Sequence, residues 1–211
     1  MSEQNLKALS RLVALASDGY SFANLQAKIK NSRVDAIAPQ GAHPILVEVF
    51  SAQRATVGLG RVQLVVTATG REAEETAVTL KSLNPLAEIH EFPSWETLPH
   101  ERLSPSPETV GKRLKVLHRL NELSNVKNRE EAKGNPVYVL ASIRAVLQPV
   151  VAGLANHPPI TLRKGAEYSF FELPLKLVEI AYKRVDMVTK RGEFAVRGGI
   201  LDIFPTTAEH A

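Results

Sequence analysis

Apolar positions recur at helical spacing near the start of the chain, at Leu6, Leu9, Val13 and Ala16 with Leu12 alongside, and Gly19 follows as a stop. A second apolar run, residues 45–50, begins just after Pro44 and predicts a helix reaching about Thr56. Val62-Gln-Leu-Val-Val66 is short, apolar and β-branched, the pattern of a strand buried on both faces. Thr69-Gly70 turns that strand into a helix with Ala73, Ala77 and Leu80 on one side, and Asn84-Pro85 ends it. A short strand is expected over 87–92, then a proline-rich loop over 92–107 that holds Trp95. A long amphipathic helix follows, with Val110, Leu114, Leu117 and Leu120 inward, and then a charged, Asn-rich loop over 121–135. Pro136-Val-Tyr-Val-Leu140 reads as another buried strand, and Ser142 as the N-cap of a helix starting at Ile143. Strands and helices alternating in this order predict an α/β fold, a parallel sheet with helices on both faces.

The pattern changes at Leu154-Ala-Asn-His-Pro-Pro159. Beyond it, strands are expected over 160–162 and 185–188, with a helix over 171–182 between them. Arg191-Gly192 makes a turn, 193–196 continues extended, Gly198-Gly199 bends the chain, and 200–204 is the last strand. Hairpins with one helix predict a small α+β domain. A boundary near residue 157 therefore divides the chain into domains 1–156 and 157–211.

Composition narrows the class. The 211 residues are 44% apolar and 23% charged, enough to bury a core and too apolar for disorder. The longest charge-free stretch, about 145–162, is broken by Pro149, Pro158 and Pro159, so no membrane span is expected. Glu3, Lys7 and Arg11 leave no apolar core for a signal peptide ahead of Ala14-Leu-Ala16. The chain has no cysteine, which excludes disulfides, thiolate metal sites and a thiol nucleophile. A cytoplasmic location fits. Twenty-six Lys and Arg against 22 Asp and Glu give a net charge of +4, a weak pointer to nucleic acid.

An alternating sheet invites a nucleotide, and the phosphate loop is the first test. Gly111-Lys112 is the one Gly-Lys pair; Arg113 follows it, and Ser106 stands where the first glycine belongs. The topologically suitable loop, Ala38-Pro-Gln-Gly-Ala-His-Pro44, has no lysine and no hydroxyl. Gly58-Leu-Gly60 has Gln63 at the third glycine position of a dinucleotide fingerprint, and His100-Glu101 lacks the second histidine of a zinc protease. No catalytic residue, cofactor site or metal site is expected. Two features remain for a partner. Lys112, Arg113, Lys115 and Arg119 give the long helix a basic face, an ordinary solvated surface or a nucleic-acid contact. Lys190, Arg191 and Arg197 crowd around the tight turns of the last hairpin.

Two segments carry a family resemblance. Gly192-Glu-Phe-Ala-Val-Arg-Gly-Gly-Ile-Leu-Asp-Ile-Phe-Pro205 resembles the G-E-[FY]-x-x-R-G-x-[ILV]-[ILV]-D-[ILV]-[FY]-P signature of UvrB-like modules. Trp95-Glu-Thr-Leu-Pro99 with Ser104-Pro105 resembles the W-E-[TS]-L-P…S-P stretch of bacterial transcription-repair coupling factors, and Lys164-Gly165 and Val185-Asp186 fall in family order. The resemblance implies a RecA-like first domain with a degenerate nucleotide site and a second, UvrB-interaction-type domain that binds UvrA. It implies Arg197 as the contact residue; Arg191 and Lys190 are read as weaker neighbours of it, and Glu193 and Phe194, strand residues beside the turn, as packing. Bidentate guanidinium contacts to carboxylates suit that role. It also implies no enzymatic activity in this segment of an ATP-dependent DNA translocase family. Damaged DNA is reached only indirectly, and RNA polymerase only through domains not in this chain. In the family the chain continues with an Arg-rich and aromatic strand that supplies more of the UvrA surface, so a truncated form is expected, with residues 200–204 as an unpaired edge. The family also masks its UvrA surface with a distant C-terminal domain, and a form without that domain is expected to expose the surface permanently. The alternative is a stand-alone nucleic-acid-binding protein using the helix around 112–119.

Overall fold

In the computed structural model, residues 3–19, 33–56, 60–97, 104–125, 134–150, 152–153 and 160–206 are described. Gly58 and Leu59, Leu98 to Glu101, the expected boundary at 157 and the terminal residues 207–211 lie outside them. Two compact units form. One is Met1–Ser94 with Glu122–Pro149, and the other is Trp95–Asn121 with Val150–Ala211. The division is not the linear one drawn from the sequence, because 95–121 belongs with the second unit.

The first unit is organised by capping. Helix α1 (Glu3–Ser17) and helix α2 (His43–Thr56) precede strand β1 (Val62–Thr67). Helix α3 (Gly70–Leu83) starts where the Thr69 hydroxyl accepts from the Glu72 amide at 3.1 Å and the Glu72 carboxylate accepts from the Ala68 amide at 3.1 Å. That reciprocal pair fixes the turn out of β1. The expected face, Ala73, Ala77 and Leu80, is buried and packs with Tyr138 and Leu140, flanked by Val65 and Ile89. Strand β2 (Glu88–Phe92) and strand β3 (Val137–Ser142) complete a parallel sheet in the order β1-β3-β2. Every residue of the central β3 is buried. Ser142 then caps helix α5 (Ile143–Leu147) through the Ala145 amide, as its sequence position implied.

Strand β1 departs from expectation. Leu64 and Val66 are about half exposed, because β1 is an edge strand of the described sheet and only its Val65 side meets α3. An all-apolar run records that burial is tolerated, not that both faces are covered. Residues 33–39 carry no ladder, so no strand leads into the loop before α2.

The second unit holds helix α4 (Pro107–Ser124), whose part up to Asn121 lies in it, helix α6 (Glu172–Glu179), and a sheet in the order β4-β5-β6. Strand β4 (Lys183–Arg184) pairs parallel with β5 (Glu193–Arg197), and β5 pairs antiparallel with β6 (Ile200–Ile203). Residues 160–162 form no strand, α6 is shorter than the expected 171–182, and the strand expected over 185–188 is replaced by the two-residue β4 just before it. Lys183 is held by its amide to the Gly192 carbonyl at 2.8 Å, so pairing stops once the chain bends at Asp186. Phe194, Ala195 and Leu177 form buried positions of this unit. No helix among the described residues is long and apolar enough to cross a membrane.

Candidate protein-docking site on the second unit

The two motif segments meet. The Glu96 carboxylate accepts from the Ser106 hydroxyl at 2.6 Å and from the Thr109 hydroxyl, so a residue ten positions upstream holds the first turn of α4. Burial pulls the Glu96 carboxyl upward, but the hydrogen bonds from Ser106 and Thr109 outweigh it and leave it below the ordinary value. The Arg113 guanidinium lies 4.2 Å from the centroid of the Trp95 ring. Gly111 faces the Thr206 backbone so closely that no side chain fits between them.

This arrangement corrects the reading of α4. The buried residues are Thr109, Gly111, Arg113 and Val116, while Val110, Leu114, Leu117 and Leu120 are half-buried. Arg113, assigned to a basic face, is only 2% exposed, and Lys112 pairs with Glu108 at 3.5 Å. The four cations therefore do not form a continuous basic strip. A guanidinium looks solvent-facing in any charge pattern; only the stacking against Trp95 shows that it is inside.

The hairpin positions the remaining candidates. Gly198, at φ 58°, makes the two-residue connection between β5 and β6, a backbone state that favours glycine. Arg197 sits opposite Ile200 beside this turn, and its guanidinium donates to the Asp202 carboxylate at 2.6 Å. Asp202 faces Ala195, so the pair runs diagonally on one face of the ribbon. The Arg197 side chain remains 62% exposed. One N–H is occupied and the rest of the fork points to solvent. An exposed pair of this kind contributes little stability and serves mainly to orient the group.

Lys190 and Arg191 lie at the opposite end of β5, separated from Arg197 by the strand, about 13 Å of chain at roughly 3.3 Å per residue. The structure does not bring the three cations into one cluster. Arg191 is engaged, donating to Glu108 at 3.1 Å and lying 5.5 Å from the Phe204 ring centroid. Lys190 is exposed. Glu193 holds the turn: its carboxylate accepts from the amides of Thr189 at 2.9 Å and Lys190 at 2.8 Å, which lower its pKa. Phe194 is fully buried, as a packing residue should be.

Comparison with known proteins fits this architecture. Residues 160–211 match the UvrB interaction domain family. The transcription-repair-coupling factor of Mycobacterium tuberculosis (strain CDC 1551 / Oshkosh) is 43% identical over 205 residues, 96% of this chain. Those of Haemophilus influenzae and Bacillus subtilis are 32% and 33% identical over 67% and 66% of it. The chain spans 16% of the mycobacterial protein's length and 11% of the other two.

Proposed function

We propose, from the premise that this chain belongs to the transcription-repair-coupling-factor family, that its second unit is a non-catalytic docking module for UvrA. Through it, nucleotide excision repair would be brought to a stalled RNA polymerase in the bacterial cytoplasm. The observation that carries this reading is Arg197: it lies within the segment matching the UvrB interaction domain, at a glycine turn, with its guanidinium oriented by Asp202 and otherwise open. Carboxylates on a partner could take the free edge of the fork in a bidentate contact. A footprint that also took in Lys190 and Arg191 would have to run the length of β5. We read the first unit as RecA-like, with its phosphate loop degenerated to Ala38-Pro-Gln-Gly-Ala-His-Pro44. The parallel sheet in the order β1-β3-β2 supports that reading. Contacts with RNA polymerase belong to the parts of the longer relatives outside this chain, and damaged DNA is met only through UvrA.

The test is a titration of the chain against purified UvrA, with Arg197→Glu as the paired variant. An anchoring arginine at an interface contributes about 2 kcal/mol or more, so the variant should bind roughly thirtyfold more weakly or worse. Equal binding by a folded Arg197→Glu protein would overturn the assignment of the site.

A further inference from the structure

At the end of β5 away from Arg197, the second unit contains a groove of about 720 Å³. Its floor and walls are largely apolar, with Pro105, Pro107, Val110, Ile180 and Phe204 among the lining residues. The two motif segments build it jointly. Gly192 turns the chain at φ 79° and lies in van der Waals reach of Pro107, which closes one wall. The lining acids are already occupied: Glu108 takes Arg191 and Lys112, and Glu193 takes the 189–190 amides. Lys183 and Lys190, both exposed, also line it, and neither forms a salt bridge among the described residues. The Glu193 carboxylate, which accepts three hydrogen bonds from the turn itself, interacts with the Lys190 ammonium.

We propose that this groove is a docking site for an acidic peptide segment of a partner protein, one that presents apolar side chains to the floor and carboxylates to Lys183 and Lys190. Charge complementarity selects this occupant. The lining carries Lys183, Lys190 and Arg191 against the carboxylates of Glu108 and Glu193, an excess of positive charge beside apolar surface, and the pins at Glu108 and Glu193 hold the walls in place before anything binds, which lowers the ordering cost of association. A nucleic-acid strand fits less well. It wants aromatic faces to stack on; of the two lining aromatics, Phe204 has Arg191 over its ring and Tyr182 is tied through its hydroxyl to the Thr206 amide. The site is separate from the Arg197 end of the hairpin and does not depend on the UvrA assignment.

The test uses the full chain, isotopically labelled, and a synthetic blocked hexapeptide of sequence Asp-Asp-Leu-Phe-Glu-Glu followed by amide chemical shifts. Binding should shift residues 180–183, 189–193 and 204–206. Reversing both cations, Lys183→Glu with Lys190→Glu, should weaken it at least about tenfold, whereas Lys115→Glu, an exposed cation elsewhere on α4, should change it less than about twofold. Replacing the peptide's Leu-Phe by Ser-Gly should abolish the shifts. The proposal is overturned by absence of shifts at the groove, by undiminished affinity in the folded double variant, or by equal perturbation of the same residues by a twelve-nucleotide oligo-dT.

Discussion

Replacing Gly111 by alanine sets helix propensity against tertiary contact. Gly111 lies in the interior of α4, where alanine is favoured by about 0.8–1 kcal/mol on propensity alone. The tertiary contact opposes it. A Cβ built on Gly111 would stand 2.2 Å from the Thr206 carbonyl oxygen and 2.6 Å from the carbonyl carbon. Those atoms are backbone, so no side-chain rotation relieves the clash. The segment carrying them is tied down by the Thr206 amide donating to the Tyr182 hydroxyl at 3.1 Å and by the Gly192 and Phe204 amides pairing across the turn at 2.8 and 2.9 Å. Overpacking of this kind costs about 1–3 kcal/mol, and a clash this deep belongs at the upper end, which leaves a net loss of about 1–2 kcal/mol after the propensity gain. The chain's one tryptophan, Trp95, stacks with Arg113 of the same helix and reports on the second unit. Urea unfolding followed by its fluorescence should show a lower midpoint with an unchanged slope, together with faster amide exchange at Thr206. A midpoint equal to or above that of the parent protein would refute the close approach and the joining of the two motif segments that rests on it.

Ala181 carries φ 67° just past α6, where the Tyr182 amide reaches the Leu177 carbonyl at 2.9 Å and the Ala181 amide the Val178 carbonyl at 3.0 Å, a left-handed helix stop that favours glycine. Ala181→Gly should stabilise the second unit by about 0.5–1 kcal/mol, the left-handed penalty less the extra unfolded-state freedom of glycine, and an unchanged or lower urea midpoint would count against this. The two units should respond to acid with opposite signs. In the first, burial raises the Glu48 carboxyl above 4.5 despite the hydrogen bond from Asn84, so folding takes up a proton and stability rises as the pH falls from neutral toward 4.5, read by amide exchange in β3. In the second, Glu193 and Glu96 lie below 4.5, so their contribution is intact above that value and is lost as the pH falls further, read by Trp95 fluorescence. Loss of β3 protection between pH 7 and 4.5, or retention of the Trp95 transition midpoint well below 4.5, would contradict the respective assignments.

What the sequence settled by itself was local. The start of α3 at Thr69, its end at Asn84, the cap at Ser142 and the bend at Gly198-Gly199 were legible because each depends on residues within one turn or one strand of each other. The family motifs were legible for the same reason, as short ordered strings. Which strand is central, and which helix face is covered, depends on neighbours far along the chain. Val62-Gln-Leu-Val-Val66 and Val137-Tyr-Val-Leu140 read alike, yet among the described residues only the second has a strand on each side. Arg113 and Lys112 are adjacent cations, but the first is buried against Trp95, eighteen positions earlier, and the second is exposed beside Glu108. Arg191 and Arg197 lie six residues apart in sequence, and an extended strand places them at opposite ends of the ribbon, one tied to Glu108 and the other paired with Asp202 but largely exposed. The docking groove joins residues 104–110 to residues 180–206, and loop closure over that distance leaves no periodic trace in the sequence. Capping, turns and periodicity are set by short-range sterics and hydrogen bonds; coverage, pairing order and the assembly of a site are set by packing between segments that only the folded chain brings together.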